Sequence, residues 1–187
     1  MKFGWGAEAG STPMNADTYE RCLGILKSIE QMSLRFRPKT DEPVTAFREA
    51  MELASQLRRS DLARLRAEAG EALSFKLMYL STLAAECAMN TRDADWLRVA
   101  LLGHVVEGFQ LDWRENFLRL YAIEYAAYRA GLNLKAARRA VEPLMDDVAR
   151  RHFSNVFSSA HGEAALKLAN LGIETAPDGE VRFVART

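Results

Sequence analysis

The chain has 187 residues, 49% of them hydrophobic and 27% charged, with 25 basic and 25 acidic side chains. That length and balance give one soluble domain with a real core, and the zero net charge argues against a general nucleic-acid binder, which carries a basic excess. No apolar run approaches the ~20 residues of a membrane span, and the start of the chain has no apolar stretch of the secretory kind, so a cytoplasmic protein without membrane contact is expected.

Residues 1–14 contain Gly, Ser and Pro without periodicity and read as a disordered or loosely docked tail, with Phe3 and Trp5 available to dock. A first helix is predicted over 16–34, capped by Asn15 or Asp17, with Tyr19, Leu23, Leu26 and Ile29 as its apolar stripe. Pro38 and Pro43 bracket a connection. A second helix over 44–58 carries Val44, Phe47, Met51, Ala54 and Leu57 on one face. Ser60 reads as the cap of a segment with Leu62 and Leu65, which Gly70 either breaks or lets run on.

The helix over 71–89 is apolar on most sides, which predicts a central position with neighbours on both flanks. Asn90 closes it. Two similar helices follow. Asp95-Trp96 and Asp112-Trp113 each read as a capping Asp before a first-turn aromatic, and Glu115 stands at the capping-box distance from Asp112. Each Trp is followed three turns later on the same face by a glutamate, Glu107 or Glu124. Gly131 fits a left-handed helix end, and Asn133 caps a helix that Pro143 kinks or divides. Helices over 150–159 and 162–170 follow. Two short alternating runs around Pro177-Asp178-Gly179 then predict a hairpin over 173–187.

Three carboxylates fall on apolar helix faces. Glu86 lies beside Phe75, Tyr79 and Thr82. Glu107 lies beside Trp96, Ala100 and His104. Glu124 lies among Trp113, Phe117, Leu120, Tyr121 and Tyr128. A carboxylate in such a setting finds an answering group or takes a proton. For Glu124 that group must come from another helix, and His104 or a buried arginine is expected. Glu86, His104, Glu107, Tyr121 and Glu124 are therefore the candidate pocket. Glu86, His104, Glu107 and Glu124 form the alternative metal-ligand set, although the paired Glu-x-x-His of a di-iron bundle is missing. Phosphate loops, GxSxG, HExxH and EF-hand loops are missing too, and no nucleophile–base pair is legible. Cys22 and Cys87 have no metal spacing and read as reduced thiols; whether they meet depends on geometry. His152 and His161 read as ordinary surface or boundary histidines. Arg129, Lys135, Arg138, Arg139, Arg150 and Arg151 make the region after the central pair the most cationic, diluted by Glu142, Asp146 and Asp147.

The run from Trp96 to Leu134, a Trp-Leu helix and an Asp-x-Arg helix before a small-residue run ending in Gly, is similar to a segment of all-helical bacterial proteins of uncharacterised activity. That resemblance implies a helical fold and a bacterial source; it carries no activity, cofactor or site residue.

The expected fold is mainly all-α, with seven or eight helices over 15–172 as a bundle or a short α-α superhelix of helical hairpins, and a small C-terminal β-hairpin. The leading function is a non-enzymatic interaction module that binds another protein or a second copy, with no cofactor. One alternative is an enzyme or sensor using the carboxylate–histidine pocket. A second is a DNA-binding regulator using the hairpin.

Overall fold

The structure, a computed structural model, describes residues 16–34, 41–109 and 113–186, with the backbone alone at 71 and 113–117. The expectations for the 1–14 tail, the Asn15 and Asp112 caps, Glu115 and the connection at Pro38 lie outside these described residues, as do the Trp113 and Phe117 side chains. The helices are α1 (Ala16–Gln31), α2 (Glu42–Ala54), α3 (Arg59–Ala69), α4 (Glu71–Thr91), α5 (Ala94–Glu107), α6 (Trp113–Ala130), α7 (Leu134–Val141), α8 (Asp147–Ser159) and α9 (Glu163–Leu168). Strands β1 (Leu171–Thr175) and β2 (Val181–Ala185) form an antiparallel hairpin. The fold is mainly all-α with a C-terminal hairpin, as expected. It has nine helices among the described residues rather than seven or eight, because Gly70 and Pro143 both divide runs that periodicity leaves continuous.

Several helix ends differ from expectation, for local reasons. Pro43 sits in the first turn of α2, where its missing N–H costs nothing, so α2 starts at Glu42 and ends before Leu57. The α3 N-terminus is Arg58, whose N–H donates to Asp61, so Ser60 lies inside the helix. Asp93, not Asp95, caps α5, accepting the Asp95 N–H at 2.9 Å. Asp95 is then free to take Arg98 at 2.7 Å and Arg48 at 3.0 Å, and these guanidinium bonds hold its carboxyl below the usual range. Asn133 caps α7 as expected, through Ala136 N–H at 3.1 Å. The helix ending at Val141 passes into a 3-10 turn at Glu142–Leu144 before α8 starts anew, which is the break alternative at Pro143.

Helix α4 is the hub. α1, α2, α5, α6 and β2 all pack on it, so the helices form a bundle around one central element. Its contact with α5 is the most extensive, and from Val99 to Glu107 every α5 residue is buried. Gly103 makes that approach possible: a Cβ there would lie 2.0 Å from Ser81 Oγ and 2.7 Å from Phe47 Cζ. The α1 C-terminus is held on α4 by Lys76, whose ammonium donates to the carbonyls of Ile29, Glu30 and Met32. This uses a cation where the last carbonyls of a helix are unpaired.

Candidate functional site

The three glutamates are buried as expected, at 4% exposure for Glu86, 1% for Glu107 and 6% for Glu124. Each accepts a backbone N–H, and each from a different place. Glu86 Oε1 accepts Phe183 N–H of β2 at 2.8 Å. One turn further along α4, Asn90 exchanges two hydrogen bonds with Val181, donating from Nδ2 at 3.0 Å and accepting at Oδ1 at 2.8 Å. Together Glu86 and Asn90 stand where a neighbouring strand would stand, and they answer both backbone groups of Val181 and the N–H of Phe183 on the outer edge of β2.

Glu107 folds back on its own helix end. Its Oε2 accepts Phe109 N–H at 2.7 Å, across two consecutive left-handed residues, Gly108 at φ 74° and Phe109 at φ 57°. Gly108 supplies the left-handed turn without strain, and a Cβ there would also displace the Arg66 side chain, whose Nη1 would lie 2.5 Å away. Arg66 in turn donates to the Val105 carbonyl at 3.0 Å.

Glu124 fastens the α8–α9 connection to α6. It accepts His161 Nδ1–H at 3.0 Å on one oxygen and Gly162 N–H at 3.2 Å on the other. Tyr121, one turn earlier, bonds Ser159 Oγ at 2.8 Å. The answering group is therefore neither His104 nor a buried arginine. His161, expected to be an ordinary surface or boundary histidine, is largely exposed and still reaches the carboxylate. Tyr128 also departs from expectation. The helical wheel puts it on the apolar face, but it is 59% exposed, with its ring against Gly162.

His104 is fully buried, and neither ring nitrogen has a hydrogen-bond partner among the described residues. Burial, and secondarily the charge of Arg119, push its pKa down to about 3, so the ring is neutral over the physiological range. Its ring lies 6.2 Å from that of Phe109, which stacks on His152 at 4.6 Å. The candidate pocket thus divides. Tyr121 and Glu124 act together on one connection, while Glu86, His104 and Glu107 each face different surroundings. No three His, Cys, Asp or Glu among the described residues form a group that could hold a metal ion, and the alternative ligand set is corrected accordingly. The reason is that each carboxylate is turned toward a backbone donor of its own. Cys22 and Cys87 are not joined in a disulfide, and burial raises the Cys22 pKa to about 12.

A concavity lies elsewhere. A groove of about 490 Å³ runs between the end of α1 and the first half of α4, lined by Met32, Leu34, Phe75, Met78 and Tyr79, with Lys76 and Arg119 beside them. Phe75 is 61% exposed, the most exposed large apolar side chain among the described residues. Arg119 donates to Thr82 Oγ1 at 3.4 Å across the α4–α6 contact. The sequence signal for this groove is the pair Phe75 and Tyr79, four residues apart and off the Leu73–Leu77–Leu80–Ala84 stripe. Periodicity shows such a second apolar face but not that it lacks a cover.

No protein family, curated protein or solved structure matches the chain.

Proposed function

We propose that this chain is a non-enzymatic helical module that binds another protein through the groove on α4. The observation that carries this reading is Phe75. A phenylalanine held in the open on the central helix, among two methionines, a leucine and a tyrosine, is what an apolar anchor site looks like before it is covered. Methionine side chains adapt to an incoming surface at little cost. Among the described residues the lining holds two cations, Lys76 and Arg119, and no carboxylate. An apolar helix with acidic flanks matches that lining.

The carboxylate–histidine reading draws less support, because Glu86, Glu107 and Glu124 hold backbone N–H groups of their own fold. The DNA-binding reading has the hairpin to support it, yet Arg182 there is bonded to Asp178 at 2.8 Å and Glu180 at 3.3 Å. No helix among the described residues is long and apolar enough to cross a membrane. The two cysteines, not joined in a disulfide, favour a reducing compartment such as the cytoplasm.

The test places a photo-crosslinking residue at 75 in the groove and, as control, at 148, where Val148 is 43% exposed on α8. A protein captured from 75 and not from 148 is then purified and titrated against the chain. Phe75→Glu is expected to weaken that binding by about tenfold or more, as loss of an anchor does. Identical capture from both positions, or unchanged binding by Phe75→Glu, overturns the reading.

A further inference from the structure

The two edges of the hairpin are treated differently. Its register pairs Leu171 with Ala185, Gly172 with Val184, Ile173 with Phe183, Glu174 with Arg182 and Thr175 with Val181. The bonds that continue this ladder, Ala176 N–H to Glu180 O and Arg186 N–H to Asn170 O, fix which pairs exchange hydrogen bonds. Pairs in phase with them, 172 with 184 and 174 with 182, bond to each other. The residues between turn their N–H and C=O groups outward. On β2 these are Val181, Phe183 and Ala185; Asn90 answers both backbone groups of Val181, and Glu86 takes the Phe183 N–H. On β1 they are Leu171, Ile173 and Thr175, whose backbone groups have no hydrogen-bond partner among the described residues outside the strand pair. Glu174 and Thr175 are exposed, and Leu171 and Ile173 are half-buried.

We infer that the open edge of β1 pairs with β1 of a second copy, antiparallel about a twofold axis through Ile173. This stands on the hairpin alone and does not depend on the groove. An antiparallel pair centred on Ile173 sets Leu171 opposite Thr175 of the second copy and Ile173 opposite itself. All the outward residues of one strand then meet outward residues of the other, and every open N–H and C=O is answered. Side chains agree with that register. Leu171, Ile173, Val181 and Phe183 share the inner face, so the joined sheet extends one apolar surface. On the outer face Glu174 falls opposite Gly172 of the second copy, and the two Glu174 carboxylates are only diagonal neighbours. Sliding the register by two residues toward the turn places Glu174 directly opposite Glu174, which like charge disfavours. The sequence of β1 therefore selects the full-overlap register. The product is a four-stranded sheet whose outer strands are each bonded by Glu86 and Asn90.

Sedimentation equilibrium of the full chain tests this. The mass is expected to rise from that of one chain toward that of two as concentration increases. Thr175→Pro removes one outward N–H and leaves the bonds within the hairpin intact, so it should abolish the rise while the helical circular dichroism is unchanged. Phe75→Glu should leave the rise in place, which separates this inference from the groove. A second measurement covers the case in which Thr175→Pro disturbs the hairpin. In a Cys87→Ser background, Gly172→Cys and Glu174→Cys chains are mixed and oxidised. A disulfide between the two different chains should form well ahead of either like-with-like product. A chain that stays monomeric at every concentration, a dimer that survives Thr175→Pro in a folded hairpin, or like-with-like disulfides forming as fast as the mixed one would overturn the inference.

Discussion

The α4–α5 contact and the contact of α6 with the α8–α9 connection are built in opposite ways. At the first, small residues bring backbones together: Gly103 faces Ser81 and Phe47, and the enclosed side chain next to it, His104, is neutral. At the second, polar side chains reach out to backbone. Glu124 takes Gly162 N–H and His161, and Tyr121 takes Ser159. Glu86 holds β2 by the same means. The centre is fixed by shape, the later elements by tethers from that centre. A shape fit tolerates no added volume, whereas a tether can lose one bond and keep others.

The sharpest way to break this contrast is at Gly103. Gly103→Val puts a branched side chain where even a Cβ has Ser81 Oγ at 2.0 Å. Phe47, whose Cζ would lie 2.7 Å from that Cβ, is fully buried. A loss of about 3 kcal/mol or more is expected in urea unfolding, at the upper end for overpacked cores. A loss below about 1 kcal/mol would show that α5 can move away from α4 freely.

The second prediction concerns acid. His104 has a folded pKa of about 3, below the ordinary value of 6.5. Between these values the unfolded chain binds the proton and the folded chain does not, so stability falls as pH falls through that window. At pH 4 this group alone accounts for a loss of about 3 kcal/mol relative to neutral pH. His104→Leu removes the titration and also an unpartnered polar ring. Its acid dependence between pH 4 and 6.5 should be flatter than the wild type, with stability at neutral pH equal or higher. A variant with unchanged acid dependence would show that His104 is not the group responsible.

The sequence makes these two regions legible to different degrees. Helix positions follow from the period of the apolar residues. Asn133 and Gly131 mark ends where expected, and Pro177-Asp178-Gly179 marks the hairpin turn, with Gly179 at φ 87°. The burial of the three glutamates is also legible, because a helical wheel shows what shares a face. Their partners are not. Glu86 meets a backbone N–H from a residue far along the chain, at Phe183, and Glu124 meets one at Gly162. Every residue except proline carries an N–H, so nothing in the side-chain pattern marks the one that will be used. Side chains suggest side-chain partners, and for Glu124 that led to His104 and a buried arginine in place of a loop backbone. The exposure of Phe75 is hidden for a related reason. Periodicity identifies a second apolar face on α4 but says nothing about whether another element reaches it.

Of the tethers, Glu86 should matter more than Glu124. Its acceptor serves Phe183 N–H, and Phe183 itself is buried against Tyr125. Glu86→Ala leaves that donor buried without its acceptor, at a cost of about 2 kcal/mol. It should also loosen the hairpin selectively, read as faster amide exchange at Val181 and Phe183 than in α4. Uniform loss of protection throughout the molecule would mean that Glu86 belongs to the shape-fitted centre instead.

Glu124→Gln is the smallest effect, and it separates a tether from an ion pair. Were Glu124 neutralising a buried cation, the amide would strand that charge and cost about 3–5 kcal/mol. The side-chain partner here is His161, which is 74% exposed, so water replaces the carboxylate when it is gone. The Gly162 N–H needs only an acceptor, and the glutamine carbonyl supplies one. The other end of the amide must then turn toward His161, which can accept at its ring nitrogen in the appropriate tautomer. What is lost is the charge assistance of two hydrogen bonds, one of them at the surface. A change of about 1 kcal/mol or less is expected in urea unfolding at neutral pH. Glu124→Ala removes both acceptors and should cost more than Glu124→Gln, while His161→Ala should cost less than Glu124→Ala because Gly162 keeps its carboxylate. If Glu124→Gln costs as much as Glu124→Ala, the charge rather than the backbone bond holds the connection, and the contrast between centre and tether fails at α6.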